Sequence, residues 1–343
     1  LVIGGALATF PASLLMKRVG RRAGFLAAAA VGFLGAILSS AAVFLGDFWL
    51  LCLGTIVLGM YNGGAQYYRF AAADVSPPGF KERAISLVIA GGLVGGLIGP
   101  ETSKYTVDLF SARYAGAYLG LCIFQVLAML LLLGLRVPPP GADELKGEAR
   151  PISEIMAQPV FLVAAFASAL GYGVMNLLMT ATPLAMEVCG HPFASAAFVI
   201  QWHVVGMFAP SFFTGGLIKR YGVINIMLVG AALQLLCVAI ALAGISVAHF
   251  WFSLVVLGIG WNFLFIGGTT LATQAYRPAE KAKAQGANDL IIFLVMATSS
   301  FLSGLLHATN GWEMLNYLAI IPVFVIVAGL LWLSSVRRTP AVA

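Results

Sequence analysis

Eleven long apolar stretches, joined by short polar loops, occupy almost all of this chain: residues 1–14, 24–46, 48–70, 84–106, 113–136, 160–183, 193–216, 223–246, 250–274, 287–309 and 313–335. All but the first have about 22–25 residues, enough for a helix to cross a bilayer with some tilt. Strands of a membrane barrel would be about half as long and would alternate in polarity. The reading is therefore an all-α membrane protein. Composition agrees, because 61% of residues are hydrophobic and 9% charged, against about 25% charged in a soluble domain. The first stretch, at Leu1, is too short to cross, so a further span is expected before it, making twelve.

The distribution of charge sets the topology. Lys17, Arg18, Arg21, Arg22, Arg69, Lys81, Arg83, Arg136, Lys146, Arg150, Lys219, Arg220, Arg277, Lys281, Lys283, Arg337 and Arg338 fall on one side, leaving only Lys104 and Arg113 for the other. The positive-inside rule makes the first side cytoplasmic. The net charge of +6 thus reflects topology, and no nucleic-acid partner is expected. Cys52, Cys122 and Cys237 lie inside apolar stretches and Cys189 lies alone in a loop. No metal-ligand spacing occurs, and neither a disulfide nor a cofactor is expected.

One short pattern occurs twice, 202 residues apart. SLLMKRVGRR (Ser13 to Arg22) and GGLIKRYG (Gly215 to Gly222) share Leu, then Lys-Arg-x-Gly, at the end of an apolar run. Phe48-Trp49 and Phe250-Trp251 keep the same offset. The longest polar stretch, RVPPPGADELKGEARPISE (Arg136 to Glu154), lies between the copies, and its three prolines oppose helix continuation. The expected organisation is an N-terminal bundle over 1–136, a cytoplasmic linker over 137–157 and a C-terminal six-span bundle over 158–343. Two similar halves point to a transporter built from repeats.

These features resemble the major facilitator superfamily. Its loop after the second span reads approximately G-x-L-x-D-R-x-G-R-R, similar to Ser13 to Arg22 and to Gly215 to Gly222. GGLVGGLIGPE (Gly91 to Glu101) resembles its Gly-Pro signature, and RFAAADVSPPGFKER (Arg69 to Arg83) its next cytoplasmic loop. The resemblance implies two six-helix bundles, the first with five spans visible, alternating access, and a cytoplasmic gate. On the motif positions that gate comprises Lys17, Arg18, Arg21, Arg22, Lys219 and Arg220, with Arg69, Asp74 and Arg83 as partners. The chain departs from the pattern where Lys17 and Lys219 replace the signature Asp, the acid of the family's loop-to-helix salt bridge. Gly54 and Thr55 stand near the position of an Arg found in many proton-driven exporters, which weakens a drug–proton antiporter reading.

Polar residues at mid-depth are the candidates for solute contact or coupling. His203 lies about 15 Å into its span at 1.5 Å per residue, where an ionisable group is costly and defaults to function. Proton coupling in a central cavity is weighed against a neutral imidazole bonded between helices. Asn262 beside Trp261 offers donors, an acceptor and a stacking face, or an interhelical bond and a packed ring. Tyr172, Asn176 and Thr180 recur every four residues and share a helix face. Asn62 and Gln66 offer amides in another span. Helix packing is the alternative for each of these. Glu101 and Lys104 form an expected local pair, and Asp289 is expected to cap its helix.

The expected function is secondary active transport of a small solute by a monomer in the cell membrane, a bacterial inner membrane, with protons as a candidate coupling ion. No P-loop occurs. Rival readings are a transporter-like sensor and an intramembrane enzyme. The enzyme would need a clustered nucleophile and base or metal set, and the four His residues are scattered.

Overall fold

The computed structural model describes residues 1–77, 79–138 and 147–338. Pro78, Pro139, Pro140 and Lys146 of the stretches above lie outside them. The described residues form helices α1 (Val2–Val19), α2 (Arg21–Leu45), α3 (Phe48–Ala65), α4 (Tyr67–Val75), α5 (Lys81–Thr106), α6 (Ala115–Gly134), α7 (Ile152–Ala157), α8 (Pro159–Val188), α9 (Phe193–Phe208), α10 (Ser211–Tyr221), α11 (Val223–Ala243), α12 (Val247–Ala272) and α13 (Lys281–Arg338). A 3₁₀ turn over Pro278–Glu280 precedes α13. Helices satisfy every backbone group within one segment, which hydrocarbon demands.

Nine of these helical segments are long and apolar enough to cross a membrane, and ten if α9 and α10 count as one bent span. Gly311, with φ 75°, divides α13 in two, which adds one more and gives eleven among the described residues. The first is longer than expected, 18 residues. One span is bent. α3 and α4 run on through Gln66, whose φ and ψ stay helical, as one span over Phe48–Val75, whereas α9 meets α10 at a 41° bend around Ala209 and Pro210. A proline there lacks the amide hydrogen and crowds the preceding turn, so a bend results.

The repeated basic motif folds the same way twice. Gly20 ends α1 and Gly222 ends α10, both with φ 86° and extended ψ. Their N–H groups return to Met16 O at 3.0 Å and Ile218 O at 2.9 Å. A side chain is strongly disfavoured in that region, so both motifs carry glycine. Asp47 caps α3 by accepting from the N–H groups of Trp49 and Leu50 at 2.9 and 3.0 Å.

The chain forms two compact units. One comprises Leu1–Val75, Leu97–Ile152 and Tyr276–Leu294; the other comprises Ser76–Gly96, Ser153–Ala275 and Val295–Ala343. These units follow packing rather than sequence order. The first part of α5 belongs with the second unit, and the first part of α13 with the first. In the first unit α3 packs on α1 and α2, and α2 on α6. In the second, α12 packs against α8, α9 and α11.

Small residues set the closest helix approach in the first unit. A Cβ on Gly4 of α1 would lie 1.9 Å from Ile56 O, and one on Gly59 of α3 would lie 1.9 Å from Leu1 O. The Gly-rich run of α5 divides by face. Gly92 and Gly96 receive the side chains of Phe208 and Val204, whereas Gly91, Gly95 and Gly99 face open space. Gly59→Ala is therefore expected to push α1 and α3 apart and destabilise the protein by about 1–3 kcal/mol, the range for overpacking. Gly91→Ala should be neutral or slightly stabilising, since it raises helix propensity without a clash. Thermal unfolding of the detergent-purified variants, read side by side, checks the contrast.

Candidate functional site

The expected gate residues lead to a polar ladder within the first unit. Lys281, Gln285 and Asp289 stand four apart on the first turns of α13 and so share a face. Each meets a partner from the beginning of the chain. Lys281 Nζ lies 3.5 Å from Asp74 Oδ1. Arg21 Nη2 donates to Asp74 Oδ2 at 3.0 Å and to Gln285 Oε1 at 2.7 Å. Arg69 donates to Asp289 Oδ1, and both side chains are 1% exposed.

Around the ladder the donors are well used. Arg69 also donates to Gln66 O at 2.8 Å and Gln66 Oε1 at 2.6 Å, and its guanidinium lies over the Phe70 ring at 4.6 Å. Gln66 Nε2 reaches Asn62 Oδ1 at 3.3 Å. The two amides expected to contact solute thus support the buried arginine. Gln285 donates to the Tyr276 hydroxyl at 2.7 Å, and burial pushes that hydroxyl above the usual phenol range. Lys17, standing where the family's loop has an acid, donates to Ala279 O at 3.1 Å.

Asp289 lies eight residues inside α13, so it pairs with Arg69 and does not cap the helix as expected. Arg22 reaches Leu133 O at 2.5 Å. In the second unit Lys219 reaches Gly79 O at 3.1 Å, and Arg220 lies over its neighbour Tyr221. Arg18, Arg83 and Arg220 are exposed. The linker end adds a contact that the sequence reading missed. Arg150 holds fully buried Glu280 through Nε and Nη2, each at 2.7 Å, and through its own N–H at 3.1 Å.

The mid-depth residues of the second unit fall into separate groups. Asn262 is fully buried and braces the α9–α10 bend. Its Nδ2 donates to Met207 O at 2.6 Å and Ser211 Oγ at 2.5 Å, and its Oδ1 accepts from Thr214 Oγ1 at 2.7 Å. His203 is also fully buried, with Nδ1 2.7 Å from Leu254 O and Nε2 unpartnered. It does reach the expected span, with its ring buried between α9 and α12. Close packing of these two helices around Gly206 and Gly258 leaves no gap there.

Trp261 lies at the centre of an aromatic group. It stacks on Phe265 at 4.9 Å and takes the edges of Tyr172 at 5.2 Å and Phe208 at 5.8 Å. It is 2% exposed, and its indole N–H has no partner. Gly92 makes room for Phe208. The stripe of Tyr172, Asn176 and Thr180 separates by role. Tyr172 joins the aromatic group, Asn176 donates to Ser299 Oγ at 3.0 Å and Ser300 Oγ at 2.7 Å, and Thr180 is exposed.

Arg69→Ala and Asp289→Ala should each destabilise strongly, by about 3–5 kcal/mol, because each leaves a buried charge alone. A double replacement by Leu and Met should cost less than the sum of the two, read from thermal unfolding of all the variants. Additive losses would show that the two charges do not interact.

A family model for the Major Facilitator Superfamily matches residues 1–294 and 202–343. The riboflavin transporter RfnT of Brucella anthropi is 42% identical over 341 residues, covering 98% of this chain and 85% of the relative. Among solved structures, the proton:xylose symporter XylE matches with TM-score 0.79 at 13% identity, covering 97% of this chain and 84% of its own. The Escherichia coli fucose:proton symporter FucP matches with TM-score 0.73 at 17% identity, covering 96% and 87%. At such identities these two report the fold alone. With its two-copy signature, membrane-spanning helices and match along nearly the whole length, the chain belongs to the Major Facilitator Superfamily and is a secondary transporter of small solutes in the cell membrane.

Proposed function

We propose that the transported solute is riboflavin or a closely related flavin, carried by alternating access without chemical change. The 42% identity to a riboflavin transporter across 98% of the chain carries this reading. The aromatic group on α8, α9 and α12 supports it. A flavin presents a flat heteroaromatic ring edged with carbonyl and ring-nitrogen acceptors. Trp261, Phe265, Tyr172 and Phe208 offer ring faces and edges, and the indole N–H offers a donor that the protein itself leaves unused. Burying that donor without an acceptor is costly, so a bound ring that supplies one would gain both stacking and a hydrogen bond.

Asn176 with Ser299 and Ser300 supplies hydroxyl and amide groups suited to a polyol side chain. On this reading Asn262 and His203 hold helices together, and the transport cycle works through the two halves of the sequence, 1–136 and 158–343. The cycle needs no bond-making or bond-breaking, and the protein acts as a carrier rather than an enzyme.

Uptake of radiolabelled riboflavin into proteoliposomes containing the purified protein tests the assignment. Accumulation should exceed that of empty vesicles and fall when unlabelled flavin is added; uptake equal to empty vesicles overturns it. Trp261→Phe keeps the ring and loses the donor, so the half-saturating riboflavin concentration should rise by about 2–10-fold, the effect of one neutral hydrogen bond. Trp261→Ala also loses the stacking surface, worth about 1–3 kcal/mol for a base-sized ring, and should be weaker still.

A further inference from the structure

Two fully buried carboxylates mark the beginning of α13, and they are satisfied very differently. Glu280 is saturated. Its Oε1 accepts from Arg150 N–H and Nε, and its Oε2 accepts from Arg150 Nη2 and from Arg277 N–H at 2.9 Å. Asp289 is satisfied on one side only. Its Oδ1 accepts from Arg69 and from Asn288 Nδ2 at 2.8 Å, while its Oδ2 has no hydrogen-bond partner. The neighbouring Asn288 Oδ1 is also buried and unpartnered. A saturated carboxylate resists protonation, because a proton would displace a donor. An open carboxylate oxygen accepts a proton with no hydrogen bond to break.

The surroundings tie that oxygen to the contact between α4 and α13. Arg69 and Tyr67 face Asp289 from α4, with Phe70 against the Arg69 guanidinium, and Tyr276 interacts with its charge from the segment before the 3₁₀ turn. Arg21, Asp74 and Lys281 continue the same ladder. Lys281 and Gln285 are held by partially accessible partners, whereas the Arg69–Asp289 pair is 1% exposed on both sides. Neutralising one member of such a pair leaves the other charge buried alone, and the contact must open to hydrate it.

We propose that Asp289 is the proton-carrying residue of the transport cycle: a proton bound at its free Oδ2 removes the counter-charge of Arg69 and lets the first turns of α13 part from α4. The proton comes from bulk water and returns to water when the ion pair re-forms, so no other reactant is needed. A metal cation fits the site less well, since hard cations take about six or more oxygen ligands, and among the described residues no cluster of three or more metal-ligating side chains occurs there. His203 is not needed for this step.

The test reads the contact directly and does not depend on which solute is carried. Ser13 of α1 is 2% exposed and lies against Gly286 of α13, so Ser13→Cys places an isosteric thiol in the closing surface. The variant is made with Cys52, Cys122, Cys189 and Cys237 replaced by Ala and is reconstituted in liposomes. N-ethylmaleimide labelling is followed over a range of pH and normalised to the unfolded protein at the same pH. Labelling should rise as pH falls, approaching about tenfold per pH unit above the midpoint, as for one proton. Asp289→Asn should label fast at every pH, and His203→Gln should keep the wild-type profile. A flat profile in the Ser13→Cys protein overturns the proposal, as does a slope that survives Asp289→Asn or one that follows sodium at fixed pH. If Asp289→Asn does not fold, Asp289→Glu decides: a shifted midpoint supports the proposal and an unmoved one rejects it. In the flavin assay, Asp289→Asn should lose accumulation driven by a proton gradient and keep gradient-free riboflavin counterflow. Absence of counterflow in the wild type would reject the flavin assignment alone, leaving the labelling result intact.

Discussion

Arg69 and Asp289 place a full positive and a full negative charge where water scarcely reaches. Removing such ions from water costs several kcal/mol each even after relaxation, and only good geometry with further hydrogen bonds offsets it. Much of the first unit follows from meeting that requirement. Gln66, between α3 and α4, offers both its carbonyl and its side chain to Arg69. Asn62 fixes Gln66, Asn288 fixes Asp289, and Phe70 lies against the guanidinium. The segment Tyr276–Leu294 is held to Leu1–Val75 by this pair and by the Lys281 and Gln285 contacts on the same face, while Arg150, from Leu97–Ile152, grips the preceding turn.

The spans were legible because hydrocarbon imposes length and apolarity on every helix that crosses it. The doubled Lys-Arg-x-Gly was equally legible, and its reason is a backbone one. Gly20 and Gly222 share a conformation that few other residues adopt. Breaks within spans were harder to read. Pro210 bends one span, yet Pro183 sits inside α8, which continues to Val188.

Site residues divide along the same line. Position and depth could be read from sequence, but helix phase and partner could not. Asn262 looked like a solute contact because an amide at mid-depth needs partners. Those partners are Met207, Ser211 and Thr214, exposed as a set only by a bend that the sequence did not announce. His203 meets the expected span at Leu254, where the small residues Gly206 and Gly258 bring the two helices close. The spacing of Lys281, Gln285 and Asp289 was visible all along. Its meaning lay in Arg21, Arg69 and Asp74, more than two hundred positions earlier.

That distance has a consequence for how the protein is made. Arg69 and Asp289 are 220 residues apart in sequence. At about 5–20 residues per second of synthesis, Asp289 follows Arg69 into existence by roughly 10–40 s. During that interval the guanidinium lacks its carboxylate. The contacts open to it from its own stretch of chain are Gln66, three residues earlier, and the face of the adjacent Phe70. The ion pair that spans the finished unit therefore rests on a local half that synthesis completes first and a distant half that it completes last.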